Sequence, residues 1–241
     1  MRIVSILLFL SLFASKQPLL AQNNYDYGSE YIWGVNKNTS GGLIGGFILR
    51  KEIKVSDRLY QSFGVEIMNI KHRKERRENS NNGNFFIFGK LNYLYAIRTQ
   101  YGREYILFRK GSQQGVEVKV NLAAGPSLGF LNPYYVEIFV DNGTGWGFTT
   151  YKIPYTADIP FSRIMGPGNL LQGMGEAQLK LGGNLKASLS FELGSIKSNV
   201  TGFELGFLID SYLGELPLMI NTENKSVFPT AFFTLFYGLR K

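Results

Sequence analysis

The chain has 241 residues, no cysteine and only 18% charged residues, alongside 28 glycines, 14 tyrosines and 19 phenylalanines. The missing thiols exclude disulfides, thiolate metal sites, a cysteine nucleophile and a lipidated N-terminal cysteine, and glycine with aromatics suits strands and turns better than helices. A net charge of +8 would suit a nucleic-acid binder in the cytosol, but the first residues predict export, which removes nucleic acid from the candidate partners.

Residues 1–21 read as a cleavable signal peptide, and 22–241 as one β-barrel domain. Arg2 is the positive n-region, Ile3 to Ala14 the apolar h-region, and Ala21 the small residue at the cut before Gln22. The h-region is too short to span a bilayer, which takes roughly 20 apolar residues. Cleavage removes Arg2 and Lys16 from 26 basic residues and leaves 24 against 18 acidic. Lipopolysaccharide phosphates or an acidic partner are the expected counter-charges. No helix-length apolar run follows, so a membrane form must be a closed barrel, in which every strand's backbone is paired.

Eight amphipathic strands are expected, with period-two alternation as the criterion. The first, 30–36, and the second, 43–51, match weakly; an even strand count supports the first. In 61–67, Phe63, Val65 and Ile67 oppose Ser62, Gly64 and Glu66. In 85–98, Ile87, Leu91, Tyr93, Tyr95 and Ile97 oppose Lys90, Asn92 and Arg98. In 115–125, valines at 116, 118 and 120 oppose Glu117, Lys119 and Asn121. The cleanest, 178–193, sets seven apolar residues and Gly183 against a polar face carrying Lys180, Lys186 and Glu192. In 201–210, Phe203, Leu205, Phe207 and Ile209 oppose Gly202, Glu204 and Asp210; in 227–239, Phe233, Leu235, Tyr237 and Leu239 point outward. The fold class is therefore all-β, an eight-stranded antiparallel transmembrane barrel with one long extracellular loop, 131–177.

Connections alternate between tight turns (54–57, 194–198) and long loops (71–84, 131–177, 213–226), as between the periplasmic and outer ends of such barrels. Segment 100–114 breaks that rule and reads either as a strand extension or as a partner-facing ledge built on Tyr105 and Phe108. Inward positions carry six basic residues (Arg50, Lys90, Arg98, Lys119, Lys180, Lys186) and five acidic ones (Glu66, Glu117, Glu192, Glu204, Asp210). An eight-stranded barrel is just wide enough for its own side chains, so a salt-bridged plug is preferred to a conduction pathway.

Catalytic, cofactor and metal sites are not nominated by any spacing. The one histidine, His72, lies among Lys71, Arg73, Lys74, Arg76 and Arg77, and no nucleophile–base–orienter pattern accompanies it. Those cations form either a solvated loop tip or a site for lipopolysaccharide phosphates. In the long loop, 141–148 reads as a hairpin tip. Phe161, Ile164, Met165, Leu170, Leu171 and Met174 need burial, either by capping the barrel or against another protein, and Trp146 and Phe148 at the tip are further candidates for partner contact.

Leu19-Leu20-Ala21-Gln22, the run 34–39 leading into 41–46, Ala124-Gly125-Pro126-Ser127-Leu128-Gly129, and the ending 234–241 resemble small outer-membrane barrels of Bacteroidota, with the PorT-like barrels the nearest group. Gly238-Leu239-Arg240-Lys241 after Tyr237 departs from the aromatic ending common among outer-membrane barrels. The resemblance implies a non-enzymatic protein without cofactors, and an accessory subunit of an outer-membrane secretion or assembly machine. Its partners are then outer-membrane lipid, lipopolysaccharide and other outer-membrane proteins. A lipid A-modifying enzyme, with His72 at the rim, is the alternative; a small-solute channel ranks below it.

Overall fold

A computed structural model describes residues 28–41, 45–110, 115–141, 143, 147–169, 171–193, 199–220 and 222–241. The expected signal peptide, Trp146, Leu170 and the turn 194–198 lie outside the described residues.

Eight strands form one wall: Ser29–Asn38 (β1), Gly46–Lys54 (β2), Leu59–Ile70 (β3), Asn92–Phe108 (β6), Glu117–Pro133 (β7), Gln178–Leu193 (β11), Asn199–Leu216 (β12) and Lys225–Arg240 (β13). Each pairs antiparallel with the next, and β13 returns to β1 from Glu30↔Arg240 to Asn38↔Phe232, closing the barrel. Five short strands lie outside the wall. Arg77–Asn79 (β4) and Phe85–Ile87 (β5) form a hairpin, while Tyr135–Asp141 (β8), Phe148–Pro154 (β9) and Ile164–Pro167 (β10) form a sheet in the order β10-β8-β9.

Alternation explains the wall. In β11, Asn184, Lys186, Ser188, Ser190 and Glu192 are buried, while Leu185, Leu189 and Leu193 are exposed. The same outward belt continues through Phe47 and Leu49, Phe63 and Ile67, Leu122 and Leu128, Phe207 and Leu235, all exposed. Water offers such a continuous apolar belt no partner, and a bilayer covers it.

Two expectations about the wall are corrected, and one pair of alternatives is decided. Strand 85–98 is two elements, because Gly89 takes φ +77°, a left-handed conformation that turns the chain. Lys90 therefore leaves the lumen. Segment 100–114 begins as wall: β6 runs unbroken to Phe108, with Ile106 buried against Tyr60, so the strand-extension reading holds. The long loop opens at 134 rather than 131, because β7 continues to Pro133 with Leu131 facing inward.

Pro126 sits within the β6–β7 seam, where a missing N–H interrupts the ladder. Pairing skips from Arg98↔Ser127 to Tyr101↔Ala124. The strands remain close there: a Cβ added at Gly125 would lie 1.9 Å from the Thr99 carbonyl oxygen. Asn184 supplies the missing donor from the lumen side. Its Nδ2 donates to the carbonyls of Gly125 at 3.0 Å and Pro126 at 3.3 Å, while Gln100 Nε2 donates to its Oδ1 at 2.8 Å.

Candidate functional site

Two regions compete for function, the lumen and the surface above it. The lumen is filled by ion pairs that converge from distant strands. Arg50 Nε lies 3.0 Å from Glu52 and 3.2 Å from Glu104, and its Nη1 lies 3.0 Å from Glu204. Arg98 joins Glu66 at 3.3 Å and Asp210, with Nε to Oδ1 at 2.8 Å. Lys186 bridges Glu66 at 2.7 Å and Glu204 at 3.2 Å. Lys119 reaches Glu30 at 2.9 Å and Glu52 at 3.1 Å, and Arg240 joins Glu30 and Glu192. Every one of these ends is nearly solvent-free, where an ion pair persists only with its hydrogen bonds satisfied.

Sequence reasoning expected near-balance, and the geometry gives an acidic surplus. Among the described residues, eight carboxylates (Glu30, Glu52, Glu66, Glu104, Glu117, Glu192, Glu204, Asp210) face five wall cations (Arg50, Arg98, Lys119, Lys186, Arg240), with Lys110 reaching Glu192 from the β6–β7 connection. Lys180 is half-buried above Gly182↔Tyr212, the outermost β11–β12 pair, outside this network. Lys90 pairs instead with Glu75 at 2.7 Å and packs on the Tyr93 ring. Burial lowers the pKa of Lys90, and Glu75 opposes that shift.

A second layer seals the mouth at the long-loop end. Met68, Leu94, Tyr212, Leu218, Met219 and Phe228 are buried together. Segment 217–220 is held across the mouth: Asn92 donates to the Pro217 carbonyl at 2.7 Å, and the Leu91 N–H to Leu218 at 2.9 Å.

Above it the described residues of 134–177 build an apolar cluster of their own. Phe86, Tyr134, Val136, Tyr155 and Ile164 form a buried cluster that ties β5, β8 and β10 together, and Tyr134 Oη accepts the Ile87 N–H at 3.0 Å. Of the two alternatives for Ile164, burial within the chain or against a partner, the first holds: it is fully buried core, turned inward by the β8–β10 pairing. Phe161 packs on Phe86 and Phe88 with ring centroids at 5.4 and 5.5 Å. Met165 is half-buried, and its carbonyl accepts from Ser80 and Asn84. Among the described residues of the group the most exposed are Leu171 (63%) and Phe148 (62%); Phe148 packs edge-on against Phe139 and shares the β9 edge strand with Tyr151 (53%). Tyr105 and Phe108 are exposed on the outer wall, toward the opposite end of the barrel.

The basic cluster divides. Lys71, Arg73 and Lys74 line a cleft with His72, Ser40 and Lys225, whereas Arg76 is exposed away from it and Arg77 pairs with Ile87 in the β4–β5 hairpin. His72 Nδ1 accepts the Lys74 N–H at 3.2 Å, and Ser40 Oγ shares a hydrogen bond with Thr230 Oγ1 at 2.9 Å. Among the described residues, no serine–histidine hydrogen bond and no metal-ligating cluster forms.

No known family model and no curated protein sequence matches the chain. Similar solved structures are small surface proteins. Neisserial surface protein A aligns over 88% of this chain and 96% of its own at 7% identity, with TM-score 0.43. Ail, the attachment invasion locus protein of Yersinia pestis, aligns over 90% of this chain and 100% of its own, at 9% identity and TM-score 0.39. Its complex with the heparin analogue sucrose octasulfate aligns over the same shares, at 10% identity and TM-score 0.38. Likeness at this level does not reach to function.

Glu30, Glu52, Glu104 and Arg240 are lumen residues that sequence reasoning missed. Glu30 already lay within the expected first strand, and extending the alternation of β2, β6 and β13 past their expected ends would have placed the other three inward.

Proposed function

We propose that this chain is an outer-membrane barrel that works by contact. In this reading it binds another outer-membrane protein through the sheet β8–β9–β10, as an accessory subunit of a secretion or assembly complex. The long loops mark the outer side and the short turns the periplasmic side. One observation carries the reading: a sheet that ends in the edge strand β9, with Phe148 and Tyr151 exposed on it, is fixed by a buried cluster above a lumen closed by ion pairs and an apolar layer. An anchored edge strand bearing exposed aromatics offers backbone pairing and side-chain contacts to an extended partner segment.

The test is extraction in mild detergent at native expression, followed by mass spectrometry of co-eluting proteins. A defined outer-membrane partner should co-elute with the wild type and be lost from Phe148→Ser/Tyr151→Ser, whose barrel still folds. A clean monomer would overturn the reading. Planar bilayers should stay silent with the wild type; discrete conductance steps would favour a channel. A changed lipid A profile in a deletion strain would favour the enzyme alternative.

A further inference from the structure

Lys71, Arg73 and Lys74, in the connection that follows β3, serve neither the lumen network nor the outer sheet. They line a cleft of about 260 Å³ at the barrel rim. The turn 71–74 folds over the β1–β2 hairpin, held by the Lys71 N–H on the Ser40 carbonyl at 2.5 Å and the His72 N–H on Glu75 Oε1 at 3.0 Å. This brings Lys71, His72, Arg73 and Lys74 opposite Lys225 at the start of β13. Glu223 is the one carboxylate in the lining; Glu75 lies behind, engaged by Lys90 at 2.7 Å. Ser40 and Thr222 add hydroxyls, and buried Phe228 lies at the rim beside them. Since His72 Nδ1 accepts the Lys74 N–H, Nε2–H is the ring's donor.

The opposite wall carries the second half of the argument. Lys225, Val227 and Pro229 are alternate residues on the outward face of β13, and that row continues into Phe233 and Leu235 on the lipid-facing belt. The cations therefore sit immediately beyond the last apolar wall residues. That is the level at which lipid phosphates meet a membrane protein, and basic pockets there take charge-assisted hydrogen bonds from them.

We propose that this cleft binds the phosphate group of a membrane lipid, with Lys71, Arg73, Lys74 and Lys225 holding the phosphate and the acyl portion lying along Val227 and Pro229. The inference rests on the barrel lying in a bilayer and on no protein partner.

His72 is the only histidine in the chain, so one ring-labelled imidazole reports on the cleft. The full chain is placed in nanodiscs of phosphatidylcholine, with or without phosphatidic acid, and the titration of His72 is followed by NMR. Phosphatidic acid should raise its midpoint by about one pH unit, since an anion beside the ring favours the charged form. Inorganic phosphate added to phosphatidylcholine discs should not. Lys71→Gln/Lys225→Gln should lose most of the shift while the barrel's thermal unfolding is unchanged. Native mass spectrometry should show one phosphatidic acid retained about tenfold over phosphatidylcholine of equal chain length.

Absence of a shift, or an equal shift in the double variant, overturns the inference. A full shift with inorganic phosphate alone overturns the lipid assignment in favour of a soluble phosphate. Release of fatty acid or phosphate from the lipid overturns it in favour of catalysis. A chain that will not enter the discs as a folded barrel overturns the membrane reading and the site together; a folded barrel without these changes overturns only the site.

Discussion

Inside the barrel a charge is answered by another from a remote strand, Arg50 by Glu204 at a separation of 154 residues and Arg98 by Glu66 at 32. In the outer sheet the contacts are mostly apolar, and the edge strand β9 carries the exposed Phe148 and Tyr151. The two regions divide the molecule's work. A network of buried charges paired across remote strands has little to offer a partner, whereas a sheet fixed by a buried cluster and bearing exposed aromatics on its edge strand is ready for one. Stability should therefore depend on the lumen, and recognition on the sheet and the rim.

The sharpest way to break that contrast is Arg98→Met. It leaves Asp210 and Glu66 buried without their guanidinium, and about 3–5 kcal/mol of stability should be lost. Urea unfolding in micelles measures it, and a loss under 1 kcal/mol would mean that the lumen is wetter than its burial implies. Arg98→Met/Asp210→Leu should recover much of the difference, because removing both partners leaves less uncompensated charge.

A smaller effect is expected from Asn184→Leu, which strips the donor from the Gly125 and Pro126 carbonyls. About 1–3 kcal/mol is expected, with faster amide exchange confined to 99–101 and 124–127. Uniformly faster exchange would instead indicate global loosening.

The smallest expected change belongs to the rim. Burial, reinforced by Lys225, Lys74 and Lys90 and opposed by Glu75, holds the pKa of His72 below 6.5. The unfolded chain then takes up the proton more readily than the folded one, so the turn 71–75 loses stability as pH falls through that window. Amide exchange of that turn between pH 7.5 and pH 5, with and without His72→Asn, reads the effect. A pH response unaltered by the substitution would assign it to another group.

Much of this was legible in the residues and some was not. Period-two alternation along 178–193 suffices for β11 because both faces are uniform. It fails in 105–108, where Ile106 turns inward against Tyr60 while Tyr105 and Leu107 face out, and apolar residues on both faces hide the period. Lys90 was misplaced because parity was counted straight through Gly89, whose positive φ resets it. The tip at 141–148 was readable, and Asp141 does pair with Phe148. That the flanking strands leave the wall was not readable, since whether a strand joins a barrel or a separate sheet depends on partners far along the chain. The rim cleft was half visible: the run 71–77 announces the charge, but only the fold brings Lys225 to face it.

The closing seam has a kinetic side. Seven of the wall pairings join strands that follow one another, while β1 and β13 meet across about 200 residues. Contacts of such separation form late in folding, and until then both strands expose unpaired edges that invite association with other chains. Asn36 with Thr234, and Ser40 with Thr230, hydrogen-bond through their side chains across this seam. Substitutions there should slow closure more than they weaken the finished barrel, and their signature would be an aggregated fraction during insertion, with an unchanged unfolding midpoint for whatever closes.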